Sequence, residues 1–293
     1  MIRRATHNGS MTGLLVRIGA GVILAAAVLG GFVVALERSV VYHPIAYPQG
    51  LWHPEEFGLF VTDHFFETDD GFTLHAWHAE ADRLGADRRG EARPRRTLLW
   101  FHGNAGNITH RAENMRLLVA EGIDVFIFDY RGFGRSEGRP SEKGLYADAR
   151  AAYAYLTDTL ALPPEEIVFF GRSLGAAVAV ELALDHAPAG LILESPFTSA
   201  RAMARVMFGG LPLGFLVSSR FDTLERIGRV NVPVLIAHGD RDEIVPFAMG
   251  RRIYDAANEP KSFYRITGAG HNDTYVVGGA PYFRELRAFW EGL

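Results

Sequence analysis

Short, unbroken apolar runs alternate with helix-like segments through most of this chain, and no other feature restricts its fold as strongly. The apolar runs lie at 97–102, 124–128, 167–171, 190–194, 234–239 and 262–266. Segments with helical periodicity lie at 108–121, 142–160, 173–186, 247–257 and 281–291. A strand without a polar face is buried on both sides. The pattern therefore predicts an α/β fold with a mostly parallel central sheet and helices on both faces.

An uncharged apolar stretch at 18–36 precedes this alternating region. Nineteen residues of α-helix span about 28 Å, close to the hydrocarbon thickness of a bilayer, so we predict a transmembrane anchor here. The alternatives are a cleaved signal peptide, which usually has a shorter apolar run, and a buried helix, which usually has a polar stripe. The chain then divides into a tail at 1–17, the anchor, a connecting segment at 37–60 and a domain at 61–293.

The charge distribution predicts how the anchor is oriented. Arg3, Arg4 and Arg17 precede the apolar stretch, and the positive-inside rule keeps such an N-terminus in the cytoplasm. The domain would lie on the periplasmic side of a bacterial inner membrane, or be secreted if the segment is cleaved. Four arginines against one glutamate give residues 1–40 a charge of +3, so the remainder carries −7 of a net −4.

Composition excludes several classes of chemistry. The chain has no cysteine, which removes disulfides, thiolate nucleophiles and cysteine-ligated metal sites. Its acidic balance provides no basic field for nucleic acid. His75 and His78 lie three residues apart on a predicted strand and hence on opposite faces, which argues against a metal pair. We expect no metal, no organic cofactor and no nucleic-acid partner.

A Gly-x-Ser-x-Gly pentapeptide at 171–175 follows the third apolar run. In open parallel sheets, ligands bind beyond the carboxyl ends of the strands. The pentapeptide alone is a weak signal, but an apolar strand enters it and an Ala-rich helix leaves it, as a nucleophile elbow requires. Ser173 is therefore the candidate nucleophile. The alternative is an ordinary turn in which this serine caps the helix.

Acidic residues and a histidine follow later strands. Asp240, Asp242 and Glu243 come directly after the run at 234–239, and any of them could orient an imidazole. Glu194, at the end of another run, is a further candidate acid. His271 follows the last run within a Gly-Ala-Gly-His segment. The order serine, acid, histidine is the chain order expected of a triad on this type of fold.

The loop at 102–107, His-Gly-Asn-Ala-Gly-Asn, follows the first strand of the parallel series. We predict that the main-chain N–H groups of Asn104 and Leu174 form an oxyanion hole. An apolar insertion at 196–228 predicts a short lid that binds the acyl part of a substrate, or else simply covers the sheet. The candidate substrate-binding residues are Phe197, Met207, Phe208, Phe215 and Val245.

Taken together, these motifs resemble the α/β-hydrolase superfamily from about residue 61 to residue 293. The matching segments are FHGNAGN at 101–107, DYRGFGRSEG at 129–138, GRSLG at 171–175, ESPFTS at 194–199, HGDRDEIVP at 238–246 and GAGHND at 268–273. The chain looks most similar to a membrane-anchored, short-lidded branch with esterase-, thioesterase- and serine-aminopeptidase-like members. The family pattern HGxxDxxVP implies that Asp242 is the triad acid.

The resemblance and the residues predict a serine hydrolase that cleaves carboxylic ester or thioester bonds through Ser173, His271 and Asp242. An apolar lid and an anchor favour a small acyl ester or lipid-like substrate. Two alternatives remain open. One is an amide-cleaving enzyme of the aminopeptidase type, which shares the triad chemistry, and the other is a non-catalytic, membrane-tethered binding protein on the same fold.

Overall fold

The computed structural model describes residues 15–21, 23, 24, 28, 31, 37–81, 96–210 and 217–293. The chain divides into two compact units, Met1–Val41 and Tyr42–Leu293. The described residues of the first unit are helical. The predicted anchor at 18–36 lies in large part outside the described residues. In the part of the chain that is described, no helix combines the length and the apolar character needed to cross a membrane.

The second unit is built on ten described strands. They are β1 His43–Pro44, β2 Thr62–Glu67, β3 Thr73–Ala79, β4 Thr97–Phe101, β5 Ala105–Gly106, β6 Asp124–Phe128, β7 Ile167–Arg172, β8 Gly190–Glu194, β9 Val234–Gly239 and β10 Lys261–Ile266. Eight of them form one sheet in the order β10-β9-β8-β7-β4-β6-β3-β2. Strands β4 and β6 to β10 pair in parallel, and β3 pairs antiparallel with β2 and β6. The predicted mostly parallel sheet is confirmed.

The burial of the strands explains why their sequences lack a polar face. Every residue of β4, β6 and β8 is buried. Trp100 and Phe170 pack together, with ring centroids 5.1 Å apart, in the hydrophobic core that the sheet contributes to. Because both surfaces of these strands are removed from water, alternation of polar and apolar residues would place polar groups in the core.

Helices connect the strands of the sheet. They are α1 Ala112–Ala120, α2 Glu142–Ala154, α3 Leu174–Leu182, α4 Ala200–Met207, α5 Thr223–Ile227, α6 Phe247–Ala256 and α7 Thr274–Glu291. Ser141 caps helix α2, its hydroxyl accepting the N–H of Gly144, and one π-helical turn, Tyr155–Thr159, continues the helix. Helix α7 begins earlier than the predicted 281–291, because a kink at Gly279 (φ +50°) lets helical turns form on both sides of it.

The segment that precedes β2 is tied to the loop after β4. Strand β1 pairs in parallel with β5, and the N–H of Ile45 donates to the oxygen of Gly106 at 2.9 Å. Residues 43–60 therefore belong to the same compact unit as the sheet. This attachment constrains the loop at 102–107, which contains the predicted oxyanion residue Asn104.

The insertion between β8 and β9 forms helical structure where it is described. Ser199 caps α4 by accepting the N–H of Ala202 at 3.2 Å. Beyond α4, the chain is described again from residue 217, and it continues into α5. Phe221 is fully buried against Tyr146, so the second part of the insertion is fixed to the body of the domain. Residues 211–216 lie outside the described residues.

Candidate active site

The sharp turn between β7 and α3 carries Ser173. Its φ and ψ, +53° and −114°, lie outside the regions that most residues adopt. Strain of this kind persists only where the surroundings impose it. A Cβ on Gly175 would overlap the main-chain oxygen of Phe101, and a Cβ on Gly171 would come within 2.6 Å of Ala176. Glycine at these two positions allows the helix to approach the sheet and leaves Ser173 half-buried at the end of β7.

His271 and Asp242 come together beyond the ends of β10 and β9. The Nδ1 atom of the His271 ring lies 2.8 Å from Oδ2 of Asp242. The other carboxylate oxygen of Asp242 accepts the main-chain N–H groups of Ile244 and Val245, at 3.0 and 2.7 Å. Nε2 of His238 lies 3.2 Å from Oδ2 of the same carboxylate. Four groups thus hold Asp242, whose side chain has no exposed surface. A carboxylate held in this way fixes the tautomer and orientation of the imidazole beside it.

The electrostatics of Asp242 favour its ionised form. Burial alone would raise its pKa. The bonds it accepts from His238 and His271, the charge of the protonated His271 ring and the N–H of Val245 outweigh burial and hold the pKa well below the ordinary value. Asp242 is therefore an anion at neutral pH, and it can stabilise a positive charge on the His271 ring.

The other acidic residues that the sequence left open make different contacts. Asp240 accepts the N–H of Gly268 at 2.7 Å and the guanidinium of Arg265 at 2.8 Å. Glu243 accepts the main-chain N–H of His271 at 3.1 Å, not its ring. Glu194 is fully buried and is bonded by residues of β7 and α7. None of these three carboxylates bonds the His271 ring among the described residues.

The loop after β4 lies against the turn that carries Ser173. A Cβ on Gly103 would sit 3.7 Å from the Cβ of Ser173. The oxygen of the next residue, Asn104, accepts the N–H of His43 at 2.8 Å, which ties the loop to β1. Leu174 is the first residue of α3 and is buried. The two residues predicted to form an oxyanion hole thus belong to segments that meet at the serine.

Hydrogen bonds from buried polar side chains stabilise this loop. The Nδ1 of His102 donates to the oxygen of Gly103 at 2.7 Å. Burial and the nearby charge of Arg111 lower the pKa of His102 to about 3, so its ring is neutral at pH 7. Oδ1 of Asp129 accepts the N–H of Ile108 at 2.9 Å, and burial raises the pKa of this carboxyl. The loop is therefore fixed near both of its ends.

Comparison with known proteins identifies the family. Residues 92–221 match the family model described as Hydrolase_4, serine aminopeptidase, S33. The α/β-hydrolase domain-containing protein WAV2 of Arabidopsis thaliana is 33% identical over 296 residues, with 92% of each chain covered. The chain belongs to the α/β-hydrolase family. An uncharacterized protein of Mycobacterium tuberculosis is 39% identical over 270 residues, with 92% of each chain covered.

Solved structures agree with this assignment at the level of the fold. An esterase of Pyrococcus furiosus is 21% identical, with a TM-score of 0.68, and the alignment covers 86% of this chain and 98% of that chain. An α/β-hydrolase of Vibrio vulnificus, also 21% identical, gives a TM-score of 0.64 and covers 80% of this chain and 82% of that chain. The superfamily resemblance stated from the motifs is confirmed, and the protein is an α/β-hydrolase.

The residues predicted to line the acyl site of this hydrolase differ in their exposure to solvent. Phe197 and Val245 are buried. Met207 and Phe208, at the end of α4, are exposed by 59% and 42%. Phe215 lies outside the described residues. The described part of the hydrolase also contains no cluster of three or more histidine, cysteine or acidic side chains that could hold a metal ion.

Arg172 is a residue of the candidate active site that the sequence motifs do not reveal. It is the last residue of β7, and Nη2 of its guanidinium donates to the main-chain oxygen of His271 at 2.6 Å. Glu194 lies directly opposite it on β8 in the register of the sheet. An arginine and a glutamate at the ends of two apolar strands could have drawn attention, but only the strand order shows that they are neighbours.

Proposed function

We propose that this hydrolase cleaves carboxylic ester or thioester bonds, with Ser173 as nucleophile, His271 as general base and Asp242 as its orienting acid. One observation carries the proposal: the 2.8 Å bond between the His271 ring and a fully enclosed carboxylate, formed after β9 and β10 at the same edge of the parallel sheet as the strained serine turn after β7. Such an arrangement recurs on unrelated folds and is recognised by its geometry.

The reaction begins with proton transfer. The unprotonated Nε2 of His271 takes the proton of the Ser173 hydroxyl while Oγ forms a bond to the carbonyl carbon of the substrate. The electron pair of the carbonyl moves to its oxygen. When the tetrahedral intermediate collapses, the alcohol or thiol leaves with the proton from His271, and an acyl-enzyme remains. A water molecule, deprotonated by the same ring, then releases the acid and restores Ser173.

The developing oxyanion is bound by main-chain donors. The N–H groups of Asn104 and Leu174 fill this role in the proposal, and each contributes on the order of 3 kcal/mol to lowering the barrier. The hydrogen bond from His102 to the oxygen of Gly103 and that from His43 to the oxygen of Asn104 support it, because they fix the peptide plane that contains the Asn104 N–H and the plane that follows it. A preorganised donor loses no energy to reorientation during the reaction.

The proposed substrate is a small acyl ester or a lipid-like ester. The apolar side chains of Phe197, Met207, Phe208 and Val245, together with Phe215, support an acyl-binding wall, and the uncharged stretch at 18–36 supports a membrane anchor that brings the domain to lipid. If the wall binds acyl chains, octanoyl esters will be hydrolysed at least as well as acetyl esters. A strict preference for acetyl esters would contradict this part of the proposal.

An amide-cleaving activity is the second candidate, because the matching family model is described as a serine aminopeptidase. The same triad chemistry would act on a peptide bond. Hydrolysis of aminoacyl naphthylamides without turnover of p-nitrophenyl esters would select it over an esterase.

The test of the proposed function compares two serine variants of the full chain. Ser173→Ala should lower kcat for p-nitrophenyl butyrate by about five to six orders of magnitude, as removal of a nucleophile does in serine proteases. The matched control is Ser195→Ala at the end of the adjacent strand β8, whose hydroxyl is buried without a hydrogen-bond partner among the described residues. It should keep kcat within about threefold of the wild type. Undiminished turnover by Ser173→Ala would contradict the proposal.

A further inference from the structure

Arg172 connects the two loops that carry the proposed nucleophile and base. It directly precedes Ser173, and its side chain is 6% exposed. Nη2 donates to the main-chain oxygen of His271 at 2.6 Å and lies 3.4 Å from Oδ1 of Asn272. The guanidinium therefore spans from the end of β7 to the loop after β10, which are separated in the sheet by β8 and β9.

Glu194 holds the other side of this guanidinium. Its Oε1 lies 2.8 Å from Nε of Arg172 in an ion pair with no exposed surface on the glutamate. The same oxygen accepts the hydroxyl of Thr274 at 2.9 Å, and Oε2 accepts the hydroxyl of Tyr282 at 2.5 Å. Both donors belong to α7, the helix that begins three residues after His271. Glu194 thus binds Arg172 and the helix that follows the histidine at the same time.

We propose that Arg172 and Glu194 are a positioning pair that fixes the main chain of His271 relative to Ser173. The proposal rests on the function proposed above. Neither residue touches the reacting atoms. A buried ion pair is weak evidence for stability, because the cost of removing two charges from water offsets their attraction. Among the described residues, hydrogen bonds join these two side chains to His271, Asn272, Thr274 and Tyr282, which belong to the histidine loop and its helix, so we assign the role of the pair to geometry.

The geometry predicts that loss of Arg172 affects kcat and not KM. The ring of His271 is held by Asp242 at its Nδ1, and its main-chain N–H is held by Glu243 at 3.1 Å. The bond from Arg172 to the oxygen of His271 restrains the same residue through its backbone. A displacement of about 1 Å at a reacting group can cost about 100-fold in rate, so losing one restraint should lower kcat and leave substrate binding nearly unchanged.

The experiment uses the full chain with three substitutions. Arg172→Met removes the donors and keeps an unbranched side chain, whereas Arg172→Lys keeps the positive charge. We expect Arg172→Met to lower kcat for p-nitrophenyl butyrate by about 10- to 100-fold with KM within about twofold, and Arg172→Lys to recover part of the loss. The control Arg265→Met removes an exposed arginine of β10 that pairs with Asp240, and it should leave both constants unchanged.

Two further measurements test the proposal independently of the Arg172→Met kinetics. The low-field proton resonance of the His271–Asp242 hydrogen bond should shift or broaden in Arg172→Met and stay sharp in Arg265→Met. If Arg172→Met fails to fold, Tyr282→Phe removes only one hydroxyl donor to Glu194, and we expect a kcat loss of about threefold in the same direction.

Several outcomes would overturn the proposal. Wild-type kcat in Arg172→Met, with only a lowered Tm, would make the pair purely structural. A raised KM with unchanged kcat would move Arg172 to substrate binding. Absence of any ester turnover by the wild-type chain would instead overturn the proposed function, and the unaltered low-field resonance in Arg172→Met would then separately decide against the positioning role.

Discussion

The turn at Ser173 is closely packed, whereas the end of helix α4 is exposed and has few contacts. Around Ser173, neighbouring backbone leaves no room for a Cβ at Gly171 or Gly175, and the side chain of Arg172 is buried in an ion pair with Glu194. At the end of α4, Met207 and Phe208 are exposed, and a Cβ on Gly209 would meet nothing within 4 Å. Under the proposed function, the closely packed turn carries the nucleophile, and the end of α4, which has few packing constraints, contributes to the acyl-binding wall.

The largest effect that tests this contrast is the removal of the Asp242 charge. Asp242→Asn should lower kcat for p-nitrophenyl butyrate by about 10⁴-fold, because the amide no longer holds the required tautomer of His271 or stabilises its charged form. The matched control, Asp240→Asn, changes an acid of the same loop that bonds Arg265 and Gly268. We expect it to keep kcat within about threefold. Equal losses in the two variants would mean that the loop as a whole, and not the His271–Asp242 bond, matters.

Glycine substitutions compare the two regions by stability. Gly175→Ala should destabilise the fold by about 3 kcal/mol or more, because its Cβ overlaps the oxygen of Phe101. Gly209→Ala, with a φ of +61° and open space around the Cβ, should cost about 1–2 kcal/mol from backbone strain alone. Urea unfolding of both variants checks the difference. A Gly175→Ala variant as stable as Gly209→Ala would show that the elbow is less tightly packed than its geometry indicates.

Acid should lower the free energy of unfolding through His102. In the unfolded chain this ring takes up a proton near pH 6.5, whereas the folded, buried ring has a pKa of about 3. The unfolded state therefore binds more protons between these values, and the stability contributed by the neutral ring is complete above pH 6.5 and falls as the pH falls toward 3. The slope is at most about 1.4 kcal/mol per pH unit.

Urea unfolding at pH 7.5, 6.5, 5.5 and 4.5 measures this dependence. The variant His102→Gln keeps a polar side chain but cannot titrate, so the stability difference between wild type and variant should shrink as the pH is lowered. A difference that stays constant over this range would show that His102 is protonated in the folded protein or is accessible to water.

The smallest effect is expected at the exposed end of α4. Phe208→Ala should lower kcat/KM for p-nitrophenyl octanoate by about two- to fivefold and leave p-nitrophenyl acetate unchanged, since a half-exposed ring contributes only part of its burial energy to an acyl chain. Equal changes for both esters would assign Phe208 to the fold and not to the acyl wall. The contrast between the two regions would then lose its functional meaning.

The sequence predicted the closely packed region better than the exposed one, and the reason is physical. Strands buried on both faces must be apolar throughout, so the runs at 97–102 and 167–171 are visible without tertiary information. The glycines around Ser173 are required by close approach of helix and sheet, and they mark the turn directly. No pattern of this kind marks residues 211–216 in the sequence.

Other features needed the folded chain. From the residues alone, Asp240, Asp242 and Glu243 could not be separated, because four residues of loop decide which carboxylate meets the His271 ring. The family pattern selected Asp242, and the geometry is consistent with that choice. The pairing of Arg172 with Glu194 depends on β7 and β8 being neighbours in register. Local sequence does not determine the order of strands in a sheet.

The most direct test of the account is the site of covalent modification by a fluorophosphonate. Full-length wild-type protein and His271→Ala are incubated with the probe, and the modified peptide is identified by mass spectrometry. The account predicts one adduct on Ser173 in the wild type and labelling slowed by at least about 10³-fold in His271→Ala. An adduct on another residue, equal labelling of both proteins, or a wild-type chain that never reacts would contradict it.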